Sequence, residues 1–208
     1  MGKVVEFVSF VNWQARYLED DTPWDKGCAA PSLIGLVNDY PHWFSGQQSF
    51  LVPGGGLGHD AAALAHKVGS VLALDIAPAA LTQAEEIYGA LENLKFEQAD
   101  LFQLSAEFSE SFDVVWEHTC FCAIETQLRR DYVRSMWNAL KAGGRLIGIF
   151  FINPDVEAGE GPPFGASVDE ICATFGGYFE LEQEIEPRSY YEGREGREKL
   201  LVFKRLGY

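Results

Sequence analysis

Leu51-Val-Pro-Gly-Gly-Gly-Leu-Gly-His-Asp60 reads as the end of a strand, a glycine-rich turn and the start of a helix. The apolar run closes at Pro53, glycines at 54, 56 and 58 allow a tight turn where any Cβ would obstruct a ligand, and the helix start presents free N–H groups. Backbone, more than side chain, is offered to a ligand here. The next apolar run, Ser70–Ile76 (SVLALDI), places Asp75 seventeen residues after Gly58, where a carboxylate accepts both ribose hydroxyls of a nucleotide-like cofactor.

Outward from this turn, short apolar runs at Ser49–Pro53, Ser70–Ile76, Phe112–Trp116 and Arg145–Ile152 have the β-branched and aromatic content of buried parallel strands, with a weaker strand at Lys95–Ala99. Helical patterns lie between them at Asp60–Val68, Ala79–Leu91 and Gln127–Lys141, the last stopped by Gly143-Gly144 as a C-cap signal. Strand and helix in alternation predict an α/β fold with a mainly parallel sheet. After Gly176-Gly177, the runs Phe179–Ile185 and Lys199–Lys204, joined by the Arg/Gly/Tyr-rich stretch 187–198, predict an antiparallel C-terminal hairpin on that sheet. The first 45 residues hold Trp13, Tyr17, Trp24 and Trp43 and read as a helical N-terminal lid, with Thr22 capping a turn that Pro23 begins. The Gly/Pro-rich stretch 154–165 reads as a loop over a site.

A chain of 208 residues suits one domain, with 1–45 as the lid and 46–208 as the core. Its 47% hydrophobic content excludes global disorder, and a net charge of −15 argues against a general binder of nucleic acid or anionic membrane. Residues 188–208 carry +3, leaving −18 elsewhere, so the C-terminal stretch suits an anionic group. The longest apolar runs fall short of the ~20 residues that span a bilayer, VVEFVSFV is broken by Glu6 and Ser9, and the residues after Gly2 do not make a myristoylation signal. The four cysteines (28, 120, 122 and 172) form no CxxC and read as buried reduced thiols, with neither a metal site nor a disulfide framework. A cytoplasmic protein, monomeric or weakly dimeric, is expected.

Two cofactor classes satisfy the loop. Gly56-Leu57-Gly58-His59-Asp60-Ala61 is a GxGxxA dinucleotide pattern, and Gly54 to Gly58 is equally the GxGxG of class I methyltransferases. Asp100, placed after the third strand to meet an adenine amino group, the terminal hairpin, and an aromatic N-terminal segment able to stack on a sulfonium favour S-adenosylmethionine over a nicotinamide cofactor. A nicotinamide-dependent oxidoreductase and a non-catalytic cofactor-binding protein remain the alternatives.

Eight segments in order give the chain a resemblance to the thiopurine S-methyltransferase family, and within it to the halide and thiol methyltransferases. They are WxxxY (Trp13–Tyr17), TPWDKG (Thr22–Gly27), LVPGGGLGHD, LALDIAPAAL (Leu72–Leu81), FDVVWEHTCFCAIE (Phe112–Glu125), LKAGGRLI (Leu140–Ile147), GPPF (Gly161–Phe164) and GREGREKL (Gly193–Leu200). The resemblance implies a Rossmann-like class I fold with a seven-stranded sheet and S-adenosylmethionine at the C-terminal edge of its parallel strands. It implies that Trp13, Tyr17 and Trp24 surround the cofactor and that Pro53, Gly54, Gly56 and Gly58 cradle its methionine end. Asp75 and Ile76 then fall on the ribose, Asp100 and Leu101 on the adenine, and Glu117 and His118 beside them after the fourth strand. Gly55 stands where a cysteine is common in the family, a change that leaves backbone contacts intact. Phe121, Phe164 and Arg194 would meet the acceptor, which the resemblance makes a soft nucleophile: a thiol, hydrosulfide, halide or thiopurine. Transfer to such a nucleophile needs in-line positioning and exclusion of water, and no metal. If the acceptor is a neutral thiol, a proton must leave, and His118, Tyr190 or Tyr191 are the candidate bases.

Overall fold

The computed structural model describes residues 11–152 and 160–207; Gly2, most of VVEFVSFV and residues 154–159 of the predicted loop lie outside them. Seven strands, β1 (Ser49–Pro53), β2 (Ser70–Asp75), β3 (Leu94–Gln98), β4 (Phe112–His118), β5 (Leu140–Phe151), β6 (Phe179–Ile185) and β7 (Glu198–Arg205), form one sheet in the order β3-β2-β1-β4-β5-β7-β6. β1 to β5 run parallel, and β7 is antiparallel to both β5 and β6, so the predicted terminal hairpin is present. The described helices are α1 (Trp13–Leu18), α2 (Pro31–Asp39), α3 (His59–Ala65), α4 (Pro78–Tyr88), α5 (Arg129–Ala139) and α6 (Val168–Phe175).

The period of two along each strand sorts the side chains into two layers. On one face Phe50 and Val52 of β1, Trp116 of β4 and Ile147 and Ile149 of β5 pack against α2 and α3. On the other, Leu51, Val115, Leu146 and Phe150 pack against Tyr132, Val133 and Met136 of α5 and Ile171 and Phe175 of α6.

Three sequence expectations change. The 45-residue lid divides: residues 13–27 cover the glycine turn, whereas α2 buries Leu33, Leu36 and Val37 in the main core as an ordinary helical layer. Gly143-Gly144 is no helix cap. α5 ends at Ala139, Leu140 turns directly into strand geometry, and Gly143 at φ +78 lies within β5, where the pairing with β4 slips between Phe112 and Val114. α6 was not expected, although Ser167 and Glu170 announce it as a reciprocal capping box, each side chain bonding the other's backbone N–H.

Parallel strands end on a common edge, and because β7 runs the other way its first residue, Glu198, lies on that same edge opposite Phe151. β1 sits where the strand order reverses, between β2 and β4, the position at which open α/β sheets leave a crevice for ligands. Pro53, Asp75, His118, Phe151 and Glu198 therefore share one rim of the molecule.

Candidate active site

The glycine turn is held by backbone bonds from Gly55 N–H to Leu74 O and from Gly58 N–H to Gly55 O, both 2.9 Å. At Gly56 (φ +53) a Cβ would stand 2.8 Å from the Tyr17 hydroxyl, and at Gly58 (φ +80) it would stand 2.6 Å from Phe96 Cε1. Only glycine fits either place. Tyr17, 5% exposed, meets this turn from α1, with Trp24 Nε1–H donating to its hydroxyl at 3.2 Å and Trp13 edge-on to Trp24 at 5.3 Å. Burial, then the nearby Asp75 charge, pushes the Tyr17 phenol far above its ordinary range. Asp25 N–H closes the expected turn on Thr22 O at 2.9 Å, and the Asp25 carboxylate accepts from Gly27 N–H at 2.9 Å while lying 3.0 Å from His59 Nε2. Trp13, Tyr17 and Trp24 are thus brought together beside Gly56.

Asp75 ends β2 almost completely buried. Its Oδ2 accepts from Gly56 N–H and its Oδ1 from Ala77 N–H, both 2.9 Å, so one carboxylate locks the glycine turn to the start of α4. Burial raises its pKa despite these bonds. A carboxylate has about four acceptor positions, so these bonds leave capacity for a ligand. Ile76 follows with 52% exposure, an apolar side chain left open beside the carboxylate. Asp100 and Leu101 stand after β3, where Asp100 Oδ1 accepts from Phe102 N–H at 2.9 Å in a local turn.

At the end of β4 the two adjacent residues part company. Glu117 is fully buried on the α5 face, accepting from Phe121 N–H at 2.8 Å and from the Tyr132 hydroxyl, and burial raises its pKa. Its expected place beside the cofactor is corrected: the carboxylate props the turn after β4 from inside the fold. His118, one residue on, points to the opposite face and places Nδ1 2.8 Å from Asp60 Oδ2. Thr119 then adopts φ +61, a left-handed conformation costly for a β-branched residue, and its hydroxyl donates to His118 O at 2.7 Å.

Asp60, the last residue of LVPGGGLGHD, is the hub that the sequence reading passed over. Oδ1 accepts from Ala30 N–H at 2.7 Å, and Oδ2 accepts from both Trp116 Nε1–H and His118 Nδ1–H at 2.8 Å. Burial works against the Asp60 charge, but the His118 charge and bond and the Ala30 and Trp116 donors outweigh it and lower the pKa. Burial likewise opposes the His118 charge, yet Asp60 raises its pKa. An ionised carboxylate only accepts, so Nδ1 carries the hydrogen and Nε2 is the free end of the ring. That Nε2 is buried without a hydrogen-bond partner among the described residues.

The connection from β6 to β7 completes the surroundings. Tyr191 stacks on the His118 ring at 6.1 Å and donates its hydroxyl to Cys28 O at 2.7 Å. Arg194 lies 4.1 Å over the Phe151 ring and donates to Glu198 Oε1 at 3.0 Å. Tyr190 is not brought to His118. Its hydroxyl donates to Glu186 Oε1 at 2.7 Å on the surface, and burial together with that carboxylate pushes its pKa up to about 12. Phe121 is corrected too: at 3% exposure it is core, packed among Tyr132, Phe150 and Phe175. Phe164 is held at the rim by its N–H to Cys122 O at 2.6 Å and by Arg129 Nη2–H to its carbonyl at 2.6 Å. Cys120 and Cys122 are buried thiols as expected, Cys28 is exposed instead, and all four are free. Among the described residues no cluster of three or more His, Cys, Asp or Glu could hold a metal ion, and no helix is long and apolar enough to cross a membrane.

A glycine turn that excludes a Cβ, a carboxylate with spare lone pairs and an exposed aliphatic beside it suit an adenosyl cofactor with a charged methionine end. The thiopurine S-methyltransferase family model matches residues 9–204. Thiocyanate methyltransferase 1 of Arabidopsis thaliana is 34% identical over 200 residues, covering 93% of this chain and 84% of its own. The Brassica oleracea protein of the same name is 34% identical over 206 residues, covering 97% and 88%. The N-methyltransferase NodS of Bradyrhizobium japonicum, solved with S-adenosyl-L-homocysteine, superposes with a TM-score of 0.71 at 16% identity over 93% of this chain and 97% of that one, a likeness of fold. With nearly its whole length matched, this chain belongs to the thiopurine S-methyltransferase family of S-adenosylmethionine-dependent methyltransferases.

Proposed function

We propose that this chain methylates a small soft nucleophile, foremost the sulfur of a thiol or hydrosulfide, with thiocyanate, halide and thiopurine as further acceptors of the same pocket. The relatives named above support a sulfur acceptor. The observation that carries the reading is His118 Nε2, a buried polar atom without a partner among the described residues, fixed by Asp60 at the switch point beside the glycine turn. A ring anchored at Nδ1 with a raised pKa offers Nε2–H to an electron-rich sulfur. Tyr191 stacks on the His118 ring and Phe151 ends the neighbouring strand, and apolar surface beside Nε2 would strip water from the nucleophile and strengthen that bond.

Bound S-adenosylmethionine supplies an electrophilic methyl group on a sulfonium. Trp13, Tyr17 and Trp24 would face that cation, Pro53, Gly54, Gly56 and Gly58 the methionine end, Asp75 the ribose hydroxyls, and Ile76, Asp100 and Leu101 the adenine. We place the protein in the cytoplasm as a monomer or weak dimer acting on a small molecule, without nucleic acid or membrane. Calorimetric titration with S-adenosylhomocysteine tests the cofactor half. Two bonds to a charged acceptor contribute about 1.5–3 kcal/mol each, so Asp75→Ala lowers affinity about 100-fold or more. Unchanged affinity would refute the assignment of Asp75. Binding without turnover of thiol, hydrosulfide, thiocyanate or iodide would make the chain a binding protein only.

A further inference from the structure

Among the described residues, three buried side-chain nitrogen or oxygen atoms have no hydrogen-bond partner: His118 Nε2, Glu198 Oε2 and Arg129 Nε. Two of them share one face of the sheet at the active-site rim. His118 pairs with Ile149 of β5, Glu198 pairs with Phe151, and Ile149 and Phe151, two residues apart, point the same way. Glu198 is 1% exposed, and its other oxygen accepts from Arg194. A desolvated carboxylate oxygen with nothing to accept is costly to maintain unless a ligand supplies the donor.

We infer that Glu198 is the proton acceptor for a protic sulfur substrate, His118 being the donor that holds the sulfur, so that this pair selects thiols over permanent anions. The inference rests on the soft-nucleophile reading above. A thiol brings one S–H donor and sulfur lone pairs, and so matches both unpartnered atoms. Thiocyanate and halide bring lone pairs alone and set a negative charge against Oε2. In the step, the S–H bond breaks and its proton goes to Glu198 Oε2, and the freed sulfur pair forms the new S–CH3 bond. The old carbon–sulfur bond breaks with its electrons kept by the departing neutral sulfide, and Glu198 then releases its proton to water. Thiol, carboxylate and sulfonium become thioether, carboxylic acid and sulfide, with charge conserved.

The surroundings suit this division of labour. Asp60 of α3 raises the His118 pKa and so favours the imidazolium, the form whose Nε2 donates. Around Glu198 the charges of His118 of β4, Asp60 of α3 and Arg194 of its own connection act on it, its own charge is felt by the Tyr191 phenol stacked on His118, and more weakly by the Tyr190 phenol, which bonds Glu186 on the surface. Burial outweighs the two cations and raises the Glu198 pKa, toward that of a thiol.

The test is Glu198→Gln, assayed at pH 7 with 2-mercaptoethanol and with thiocyanate in parallel. General-base catalysis is worth about 10²–10⁴-fold, so the ratio of kcat/KM for thiol over thiocyanate falls about 100-fold or more. The deficit shrinks as pH rises toward the thiol's own pKa. Calorimetry with S-adenosylhomocysteine present shows tighter thiocyanate binding once the buried charge is gone. If Glu198→Gln fails to fold, Glu198→Asp, which withdraws the carboxylate by one methylene, gives an intermediate ratio. Equal losses on both acceptors, or an unchanged ratio, would overturn the inference, as would a parent enzyme that methylates thiocyanate and no thiol. A parent enzyme that binds cofactor but methylates neither would overturn the reading beneath it as well.

Discussion

Replacing Asp60 with alanine strips the acceptor from three donors at once: Ala30 N–H at 2.7 Å, and Trp116 Nε1–H and His118 Nδ1–H at 2.8 Å. Each buried group left unsatisfied costs about 1–3 kcal/mol, giving about 3–9 kcal/mol before relaxation. His118 escapes part of this by losing its proton, and the truncated side chain leaves room for water, so about 3–5 kcal/mol is the expected loss. For a chain of this length each kcal/mol lowers Tm by about 2–4 °C, which predicts a fall of about 6–20 °C by circular dichroism. The loss also depends on pH. Asp60 has a lowered folded pKa, so its contribution is present above the unfolded value near 3.9 and fades as pH falls. His118 has a raised folded pKa, so its contribution is complete below the unfolded value near 6.5 and fades as pH rises through the folded one. The gap between parent and Asp60→Ala is therefore widest between about pH 4 and pH 6.5 and narrows on the alkaline side. A Tm shift under about 2 °C, or a gap that stays level across pH, would refute the account of Asp60 as a charged hub.

Two further outcomes follow from contacts elsewhere in the site. Gly58→Ala forces a Cβ at φ +80 against Phe96, and left-handed strain of about 1–2 kcal/mol with ring displacement of about 1–3 kcal/mol lowers both urea stability and affinity for S-adenosylhomocysteine. Arg129→Met keeps the contact with the Phe121 ring but loses the bonds to Phe164 O and Gly165 O; amide exchange at Gly165 and Ala166 speeds up about 30-fold for a loss of about 2 kcal/mol, and KM for the acceptor rises.

Much of the fold was legible because it is written in local patterns. Buried strands are continuous apolar runs, a glycine turn followed by Asp75 has few other uses, and a final pair of extended runs can only join the sheet edge as a hairpin. The site was less legible because its bonds join distant positions. Asp60 sits inside the quoted turn, yet its partners are Ala30, Trp116 and His118, and neither spacing nor period points to them. The one available signal was an acid in the first turn of a helix that, after His59, is otherwise built of alanine and leucine. Glu117 and His118 were read as neighbours in one role, although a strand sends consecutive side chains to opposite faces. Of the two adjacent tyrosines, Tyr191 reaches His118 and Tyr190 bonds Glu186, a choice made by the path of the connection. Phe121, in an apolar run that fits both pocket and core, went to the core.

The Ala30 amide belongs to the segment that leads from the aromatic lid into α2, and the side chain that accepts from it, Asp60, is the one that holds His118. Seating of that segment and proton uptake by the imidazole are thereby two events on one carboxylate. Thermodynamic reciprocity then requires that whatever factor seating imposes on the proton's affinity, the proton imposes on seating. The Ala30 hydrogen bond and the proton on His118 therefore cannot be perturbed one at a time: a change at either is felt at the other through Asp60.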